Sequence, residues 1–526
     1  MSEPSSSTRT PPSCPVGCRP IAVVNHCADR SVHVVDNPLL SAAEMDRGGA
    51  FFADAFVGGS WQRDTSGGVG MRLSPHTGLE VSLAALCGDE EVIAARRHAA
   101  ASAREIRTQP VYRRAEILER AASLLSERRE ELARLETNEL GKPIRDTTLE
   151  VTRAAETLQI AAAEARRIGG EVLPTDGWPS GHGSSAIAIR LPVGVVLAIT
   201  PFNAPVNLLA HKIAASFAAG NTTIVKSPPQ AAGATTLFVR ILLDAGMPAE
   251  AVQVLHGGAA LGASLVAAPE VVAVAFTGSA AAGHKVASIA AGKRLVLELG
   301  GNAATIVCTD ADVAEAARLC ARTGYSNSGQ SCISVQRVYV ESSSFEDFVD
   351  QFRAQVASLR VGDPLDPATD VGTMVDAEAA QRVAGWIEEA VSAGARLETG
   401  GAVRGATLTP AVVAEPPRTA KVVTDEVFGA LVSVLPFDDF AEAIREANST
   451  RYGLQGGLFT YDMRRVFQAI RDFEVGGLVV NGSSNQRLDH LPFGGIKDSG
   501  IGRESPRWMI EDFTYLKTVH FRGMPV

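Results

Sequence analysis

Residues 194–226 read GVVLAITPFNAPVNLLAHKIAASFAAGNTTIVK, and this stretch decides the predicted fold. An apolar, β-branched run is followed by an alanine-rich stretch with helical spacing, and then by a second short apolar run. The same alternation continues through AVQVLHGG at 251–258, VVAVAFTGS at 271–279 and RLVLELGG at 294–301. Short strands that alternate with helices predict a doubly wound parallel sheet, because parallel neighbours need a crossover connection.

The regions on either side extend this prediction to the whole chain. Residues 90–167 carry apolar residues at three- and four-residue spacing, which is typical of helices. A second alternating block runs from about residue 303 to 489, and TYLKTVHF forms a final apolar strand. Because 526 residues exceed what one hydrophobic core usually spans, we expect two large lobes.

Composition narrows the function classes. The chain is 46% hydrophobic and 21% charged, as globular proteins are. A net charge of −10 disfavours a nucleic-acid binder, because such a surface repels phosphate. No apolar run approaches the roughly 18 residues of a membrane span, and the N-terminus lacks the pattern of a signal peptide. The sequence therefore predicts no membrane association and a cytoplasmic location.

Residues 1–50 differ from the rest, because their Ser/Pro-rich beginning and lack of periodicity predict a disordered extension. Seven cysteines are too sparse for a disulfide framework in a chain of this length. Cys14, Cys18, His26 and Cys27 cluster, but their spacing matches no standard zinc pattern. We expect no metal site.

Several loops at strand ends carry candidate chemistry. In TPFNAP at 200–205, the prolines restrict the backbone and can hold the Asn203 amide in one place, although the pattern also fits an ordinary turn. Lys226, the glycine loop HGGAALG at 256–262 and FTGS at 276–279 follow later strands. In doubly wound sheets such strand ends face a ligand crevice, but a glycine loop alone is weak evidence for bound phosphate.

Glu298 and Cys332 form the sharpest pair. Cys332 follows polar, loop-forming residues in NSGQSC, near a predicted helix start, which suits a reactive thiolate. Cysteine is also among the most often buried residue types, and we expect Cys308 and Cys320 to belong to the core.

Taken together, these motifs resemble those of the aldehyde dehydrogenase superfamily from residue 56 to the C-terminus. The resemblance rests on their order along the chain: PFNAP, the strand-end lysine, FTGS, LELGG, GQSC, DEVFG at 425–429, YGL at 452–454 and PFGGIKDSGIGRE at 492–504. The separation of 34 residues between Glu298 and Cys332 also matches the family. Any single motif could arise by chance, whereas the ordered set is specific.

The resemblance implies a site and a reaction. Cys332 would be the nucleophile and Glu298 the general base, and the Asn203 amide with the Cys332 backbone N–H would form the oxyanion hole. Lys212 and Glu504 match positions of a proton relay. The implied reaction is NAD(P)-dependent oxidation of an aldehyde to its acid through a cysteine thioester. The alternatives are a CoA-acylating semialdehyde dehydrogenase, for which Glu298 would be superfluous, and a catalytically idle binding protein on the same fold.

The implied cofactor site is made of strand-end and loop residues. Lys226 would bind the adenosine ribose, Ser279 the pyrophosphate, and Glu426 the nicotinamide ribose with Phe428 beside it. The full implied set is Thr200, Pro201, Phe202, Lys226, Gly258, Gly262, Thr277, Gly278, Ser279, Leu299, Gly300, Glu426 and Phe428. Pro229 stands where NAD-preferring members commonly carry a glutamate, so nothing would repel a 2′-phosphate. This departure favours NADP over NAD, with NAD still open.

Within the superfamily the chain most resembles the bacterial lactaldehyde, phosphonoacetaldehyde and semialdehyde dehydrogenases. That branch implies a small polar or anionic aldehyde. Arg153, Asn207, His211 and Arg487 would bind it, the arginines gripping an anionic group. A solvated or salt-bridged role is the alternative for each arginine, and Glu150 could pair with Arg153.

The expected fold is therefore α/β and aldehyde dehydrogenase-like, with two doubly wound lobes and a β-hairpin appendage. The expected boundaries are 51–180 with 199–300 for the cofactor-binding domain, 301–490 for the catalytic domain, and 181–198 with 508–526 for the oligomerisation strands. Because the hairpin would expose a sheet edge, we expect a homodimer or homotetramer in which a second subunit covers it.

Overall fold

A computed structural model of the chain describes residues 49–523. The predicted extension at 1–50 lies almost entirely outside this range, as do Cys14, Cys18, His26 and Cys27. No helix within 49–523 is long and apolar enough to cross a membrane.

The elements are numbered in chain order. The strands are β1 (Phe51–Ala53), β2 (Ala55–Val57), β3 (Ser60–Gln62), β4 (Val69–Leu73), β5 (Glu80–Ala85), β6 (Gly170–Leu173), β7 (Ser184–Pro192), β8 (Val195–Ile199), β9 (Thr222–Lys226), β10 (Val252–Leu255), β11 (Val271–Thr277), β12 (Arg294–Glu298), β13 (Ala304–Val307), β14 (Arg337–Glu341), β15 (Arg396–Thr399), β16 (Val403–Arg404), β17 (Thr407–Leu408), β18 (Ala411–Ala414), β19 (Leu431–Phe437), β20 (Gln455–Phe459), β21 (Gly477–Val480), β22 (Gly500–Ile501) and β23 (Thr514–Arg522). The helices are α1 (Asp89–Thr108), α2 (Val111–Glu127), α3 (Arg129–Leu140), α4 (Ile144–Ala165), α5 (Pro205–Ala219), α6 (Ala232–Asp244), α7 (Ala259–Ala267), α8 (Ala280–Ile289), α9 (Val313–Gly324), α10 (Phe345–Ala357), α11 (Ala377–Ser392), α12 (Lys421–Thr424), α13 (Phe440–Asn448), α14 (Met463–Asp472) and α15 (Pro506–Asp512).

An eight-stranded sheet, ordered β22-β12-β11-β8-β9-β10-β2-β3, forms the centre of the first lobe. Its pairs from β12 to β10 are parallel, as the alternation predicted. α5 is buried on every side, which explains why its sequence is apolar almost throughout. Pro205 starts this helix, where its missing N–H costs nothing, and Gly220 ends it at a φ of 90°.

The second lobe contains a seven-stranded sheet, ordered β15-β18-β19-β14-β13-β20-β21. All of its pairs are parallel except β15 with β18. Cys308 and Cys320 are fully buried in the core of this lobe. The expected α/β fold with two parallel-sheet lobes is confirmed.

The appendage differs from its predicted bounds. It is a three-stranded antiparallel sheet, ordered β23-β7-β6. Its middle strand, β7, ends at Pro192. β8, which overlaps the predicted oligomerisation segment 181–198, pairs instead with β9 and β11 in the central sheet. The C-terminal segment 508–526 begins inside helix α15, and its strand is β23. β6 is exposed and weakly patterned, so apolar periodicity does not reveal it.

Candidate active site

A cavity of about 940 Å³ lies between the two lobes and gathers most of the predicted site. Cys332, Glu298, Asn203 and Glu504 line it, and so does every one of the thirteen predicted cofactor residues. Lys212 lies behind the wall, where its Nζ donates to Thr277 Oγ1 (2.7 Å) and to Glu504. The strand ends of the first lobe therefore meet at least two loops of the second, one with Cys332 and one with Glu426 and Phe428, at a single cavity.

The loop that carries Cys332 leaves α9 through a left-handed turn. Asn327 and Ser328 have φ values of 49° and 55°, a conformation that is unfavourable for residues other than glycine. The Asp146 carboxylate accepts the Asn327 N–H (3.0 Å), and Gln330 Oε1 accepts the Val375 N–H (2.9 Å). These contacts hold the strained turn in place next to the cysteine.

Cys332 lies in an environment that disfavours the charged form of its thiol. Burial raises the pKa of the thiol to about 12, and the nearby Glu426 and Glu298 carboxylates add to the rise. The reactivity predicted for Cys332 stays a prediction, and attack through its sulfur requires that the thiol first lose its proton.

Asn203 presents its side chain to the cysteine loop. Its Nδ2 donates to the Gln330 carbonyl (3.0 Å), and no acceptor in the described chain receives the second N–H. The backbone carbonyl of Asn203 accepts hydrogen bonds from Lys142 Nζ (3.2 Å) and from Asn327 Nδ2 (3.1 Å). The amide is fixed and keeps one free N–H for a ligand.

Glu298 is buried at the end of β12, and neither of its carboxyl oxygens has a hydrogen-bond partner within residues 49–523. Burial and the negative charge of Glu504 hold its pKa well above the usual carboxyl range. A buried carboxyl without partners is costly, which marks it as a group kept for a ligand or water.

Glu504 has the opposite electrostatic character. Burial alone would raise its pKa, but Lys212 and Arg487 lower it to about 2. Arg487 Nη2 donates to Glu504 Oε1 (3.0 Å). The pKa values of these two buried carboxyls are thus shifted in opposite directions, upwards for Glu298 and downwards for Glu504.

The four predicted substrate residues converge on Asp489, a residue that the sequence did not single out. Arg153 donates to its carboxylate through Nε and Nη2 (2.9 and 2.7 Å), and His211 Nε2 and Asn207 Nδ2 lie 3.0 and 3.3 Å from Oδ1. Arg487 Nε lies 3.5 Å from the same oxygen. Among the four, only Arg487 lines the cavity.

The suggested pair between Glu150 and Arg153 is not formed. Glu150 pairs with Lys142 instead. The position of Asp489 two residues after Arg487, in a polar stretch before PFGG, is the signal that could have drawn attention to it.

The part of the cavity around Lys226 and the glycine loop fits the phosphate and adenosine ribose of a dinucleotide. Lys226 has no hydrogen-bond or ion-pair partner in the described chain, and burial lowers its pKa to about 8. A Cβ added at Gly258 or Gly262 would meet nothing within 4 Å, so the glycine loop leaves open space at the start of α7. Thr200 Oγ1, which is buried, also lacks a partner. These free polar groups and this opening suit a bound phosphate and ribose.

The near end offers groups for a nicotinamide ribose. Glu426 Oε1 accepts the Gly301 N–H (3.0 Å), and burial raises the pKa of Glu426 to about 7. Phe428 packs edge-on against Phe202 at 5.9 Å between ring centroids. Both residues line the cavity, as predicted.

A two-lobed α/β molecule that brings a cysteine, a fixed amide and a buried carboxyl to one cavity beside open strand ends is typical of nicotinamide-dependent dehydrogenases. Residues 61–519 match the aldehyde dehydrogenase family. The chain belongs to this family and is an NAD(P)-dependent oxidoreductase of that class.

Named relatives agree with this family. The chain is 43% identical over 404 residues to a 3-sulfolactaldehyde dehydrogenase of Priestia aryabhattai, covering 77% of this chain and 85% of that protein. It is 35% identical over 413 residues to a sulfoacetaldehyde dehydrogenase of Neptuniibacter caesariensis, covering 78% and 91%. An NADP-dependent glyceraldehyde-3-phosphate dehydrogenase from Bacillus halodurans C-125, complexed with NADP, matches with a TM-score of 0.88 and 32% identity over 90% of this chain and 100% of that one. The predicted family, branch and enzyme class are confirmed.

Proposed function

We propose that this enzyme oxidises a small anionic aldehyde to its carboxylic acid through a thioester on Cys332, and that it prefers NADP. The observation that carries the proposal is the meeting of three groups in one cavity: the Cys332 thiol, the free Asn203 N–H and the unpartnered Glu298 carboxyl.

The first half of the reaction forms a bond to sulfur. Cys332 Sγ adds to the carbonyl carbon as its thiol proton passes to Glu298 in its ionised form. The carbonyl π electrons move to oxygen, and the Asn203 amide and the Cys332 backbone N–H stabilise this alkoxide, each donor by about 3–4 kcal/mol. Lys226, Glu426 and Phe428 would hold an oxidised nicotinamide cofactor, which would supply the hydride acceptor, and loss of hydride from the same carbon would leave a thioester on Cys332.

The second half breaks the carbon–sulfur bond. Glu298 gives up the first proton to the predicted relay of Lys212 and Glu504. It then takes a proton from water. The hydroxide attacks the thioester, the acid leaves, and Cys332 is regenerated. A carboxyl of raised pKa suits this task, because it binds a proton strongly enough to activate water and releases it near neutral pH.

The NADP preference rests on the adenosine end of the cavity. Lys226 has no carboxylate partner there, and Pro229 lines the same wall where a glutamate would repel a 2′-phosphate. The neighbour from Bacillus halodurans is complexed with NADP.

The proposal of an anionic substrate depends on Arg487. It is the only arginine of the predicted substrate set on the cavity wall, and its ring neighbour Phe493 lies 4.1 Å below the guanidinium. We place Arg153, Asn207 and His211 behind it, holding Asp489, which in turn orients Arg487. Sulfolactaldehyde and sulfoacetaldehyde, after which two relatives are named, both carry a sulfonate.

The test is a turnover screen of sulfonated, carboxylated and neutral aldehydes of equal size with NADP and NAD, read by absorbance of the reduced cofactor. Sulfonated aldehyde with NADP should give the highest kcat/KM, and Cys332→Ala should abolish turnover while it retains cofactor binding. Activity in the Cys332→Ala variant would remove the thioester mechanism. An acceleration by added CoA would favour the acylating alternative. Absence of turnover with every aldehyde tested would favour the catalytically idle protein.

The substrate contact has its own variant. Arg487→Lys keeps a charge beside Glu504 but loses the two-pronged geometry, so KM for the anionic aldehyde should rise about tenfold more than KM for the neutral one. Equal changes for both aldehydes would mean that Arg487 serves the buried charge network only.

The predicted domain roles and a homodimer or homotetramer are part of the proposal. The first lobe would bind the cofactor, the second would supply the nucleophile, and a second copy of the chain would cover the open edge of β23.

A further inference from the structure

The junction of α3 and α4 places a buried lysine directly behind the Asn203 loop. The Lys142 Nζ contacts three oxygens: Glu150 Oε2, Glu136 Oε1 at 3.2 Å and the Asn203 carbonyl at 3.2 Å. The lysine is only 5% exposed. Its ammonium therefore has no role at the protein surface, and its contacts are internal.

The charge of Lys142 is compensated by neighbouring glutamates. Burial alone would lower its pKa, but Glu150 and Glu136 keep it charged. Burial and the charge of Glu150 raise the pKa of Glu136. Glu150 Oε1 also accepts the N–H groups of Val206 (2.9 Å) and Asn207 (3.1 Å) at the start of α5.

The same stretch of chain reaches the nucleophile. Asp146, in the first turn of α4, accepts the Asn327 N–H (3.0 Å) and lies 3.4 Å from Ser326 Oγ. Asn327 in turn donates to the Asn203 carbonyl. The segment around the start of α4 thus contacts two loops. Lys142 contacts the loop of Asn203, and Asp146 contacts the loop that leads to Cys332.

We infer that Lys142 is a positioning residue, which acts through the Asn203 backbone to aim the free amide N–H at the developing oxyanion. The inference rests on the proposed function of Asn203. Pro201 and Pro205 have no N–H to donate, and the Asn203 backbone is held from outside the loop by Lys142 and by Asn327. A misplacement of about 1 Å at a reacting group can cost about 10²-fold in rate.

The test must remove the contact without leaving a buried charge, because breaking a buried ion pair is strongly destabilising. Lys142→Met combined with Glu150→Gln does this, since both replacements are close in shape and a glutamine oxygen can still accept the Val206 and Asn207 N–H groups. Arg114→Met is the matched control. Arg114 is a buried cation in α2 that donates to the Ala218 carbonyl (3.1 Å), away from both loops.

The measured quantities are the rate of the pre-steady-state burst of reduced cofactor, the Kd of NADP and the rate of Cys332 alkylation by iodoacetamide. We expect the Lys142→Met/Glu150→Gln variant to slow the burst at least tenfold with the other two values unchanged. Arg114→Met should leave all three unchanged. Unchanged burst kinetics in the double variant, or equal losses in the control, would overturn the inference.

A double-mutant cycle with Asn203→Ala separates this inference from the proposed function. If Lys142 acts through Asn203, the double variant should slow the burst no further in the Asn203→Ala background. An equal additional loss there would show that Lys142 acts by another route. If Asn203→Ala itself keeps the normal burst rate, the proposed oxyanion hole fails first.

Discussion

Glu298 takes part in both halves of the proposed reaction, but only the second half depends on it. Glu298→Gln should still show a burst of reduced cofactor, because a water or a neighbouring group can accept the thiol proton, and then stall at the thioester. The steady-state rate should fall about 10²–10⁴-fold, the usual contribution of a general base. Stopped-flow measurement of burst and steady state checks this, and a normal steady-state rate would remove Glu298 from the deacylation step.

The pH profile tests the same residue in the parent enzyme. Because the pKa of Glu298 lies above its usual range, the base is protonated at low pH and becomes active as pH rises through that value. The deacylation rate should therefore increase with pH to a plateau, and the rising limb should be absent in the Glu298→Gln variant.

Pro229 is the residue on which the cofactor preference depends. Pro229→Glu introduces a carboxylate on the wall beside Lys226, so it should bind the ribose hydroxyls of NAD and repel the 2′-phosphate of NADP. We expect the ratio of kcat/KM for NAD to that for NADP to rise at least tenfold. Pro229→Ala is the control for loss of the proline ring, and an equal shift in both variants would mean that the carboxylate plays no part.

At this scale the sequence predicted every cofactor residue that lines the cavity, because family motifs record them directly, but it also predicted Arg153, Asn207 and His211, which do not line it. It could not predict Asp489 as the partner of Arg153, since the two lie 336 positions apart and sequence offers only the nearer Glu150. Partner choice among buried charges depends on which elements pack together.

Among the elements, the turn after β12 passes close to the Cys332 loop. A Cβ at Gly301 would lie 2.2 Å from the Cys332 carbonyl oxygen, so Gly301→Ala must displace the nucleophile's backbone. The burst rate should fall at least tenfold. Gly385→Ala in α11 is the control, because its Cβ meets nothing within 4 Å and alanine favours a helix by about 1 kcal/mol. A normal burst rate in Gly301→Ala would show that the loops can separate without loss of geometry.

The strands and helices of both lobes could be predicted because each buried parallel strand is a continuous apolar run followed by a helix. The appendage could not be bounded in the same way. Its strands are partly exposed, and apolar β8 follows β7 after only two residues, so the sequence does not show where one sheet ends and the next begins.

At the scale of the whole molecule, two exposed features point to a second copy of the chain. β23 lies at an open edge of its sheet and exposes Leu516 (57%). On the second lobe, α14 buries Val466 and Ala469 but exposes an apolar face made of Met463, Phe467 and Ile470, here called the α14 patch. Open strand edges and contiguous apolar patches are usually covered in solution.

The α14 patch provides the last prediction. Phe467 is 63% exposed in the single chain, so Phe467→Glu removes no core contact but would place a charge inside an interface. If a second copy covers the patch, light scattering should show a shift of the variant towards the monomer mass, with the secondary structure unchanged. Tyr112→Glu is the matched control, since Tyr112 is an exposed aromatic residue on α2 (53%) outside both features, and it should keep the parent's mass. An interface does not tolerate a buried carboxylate without a partner. An unchanged mass for Phe467→Glu would therefore exclude the α14 patch and leave β23 as the only proposed contact.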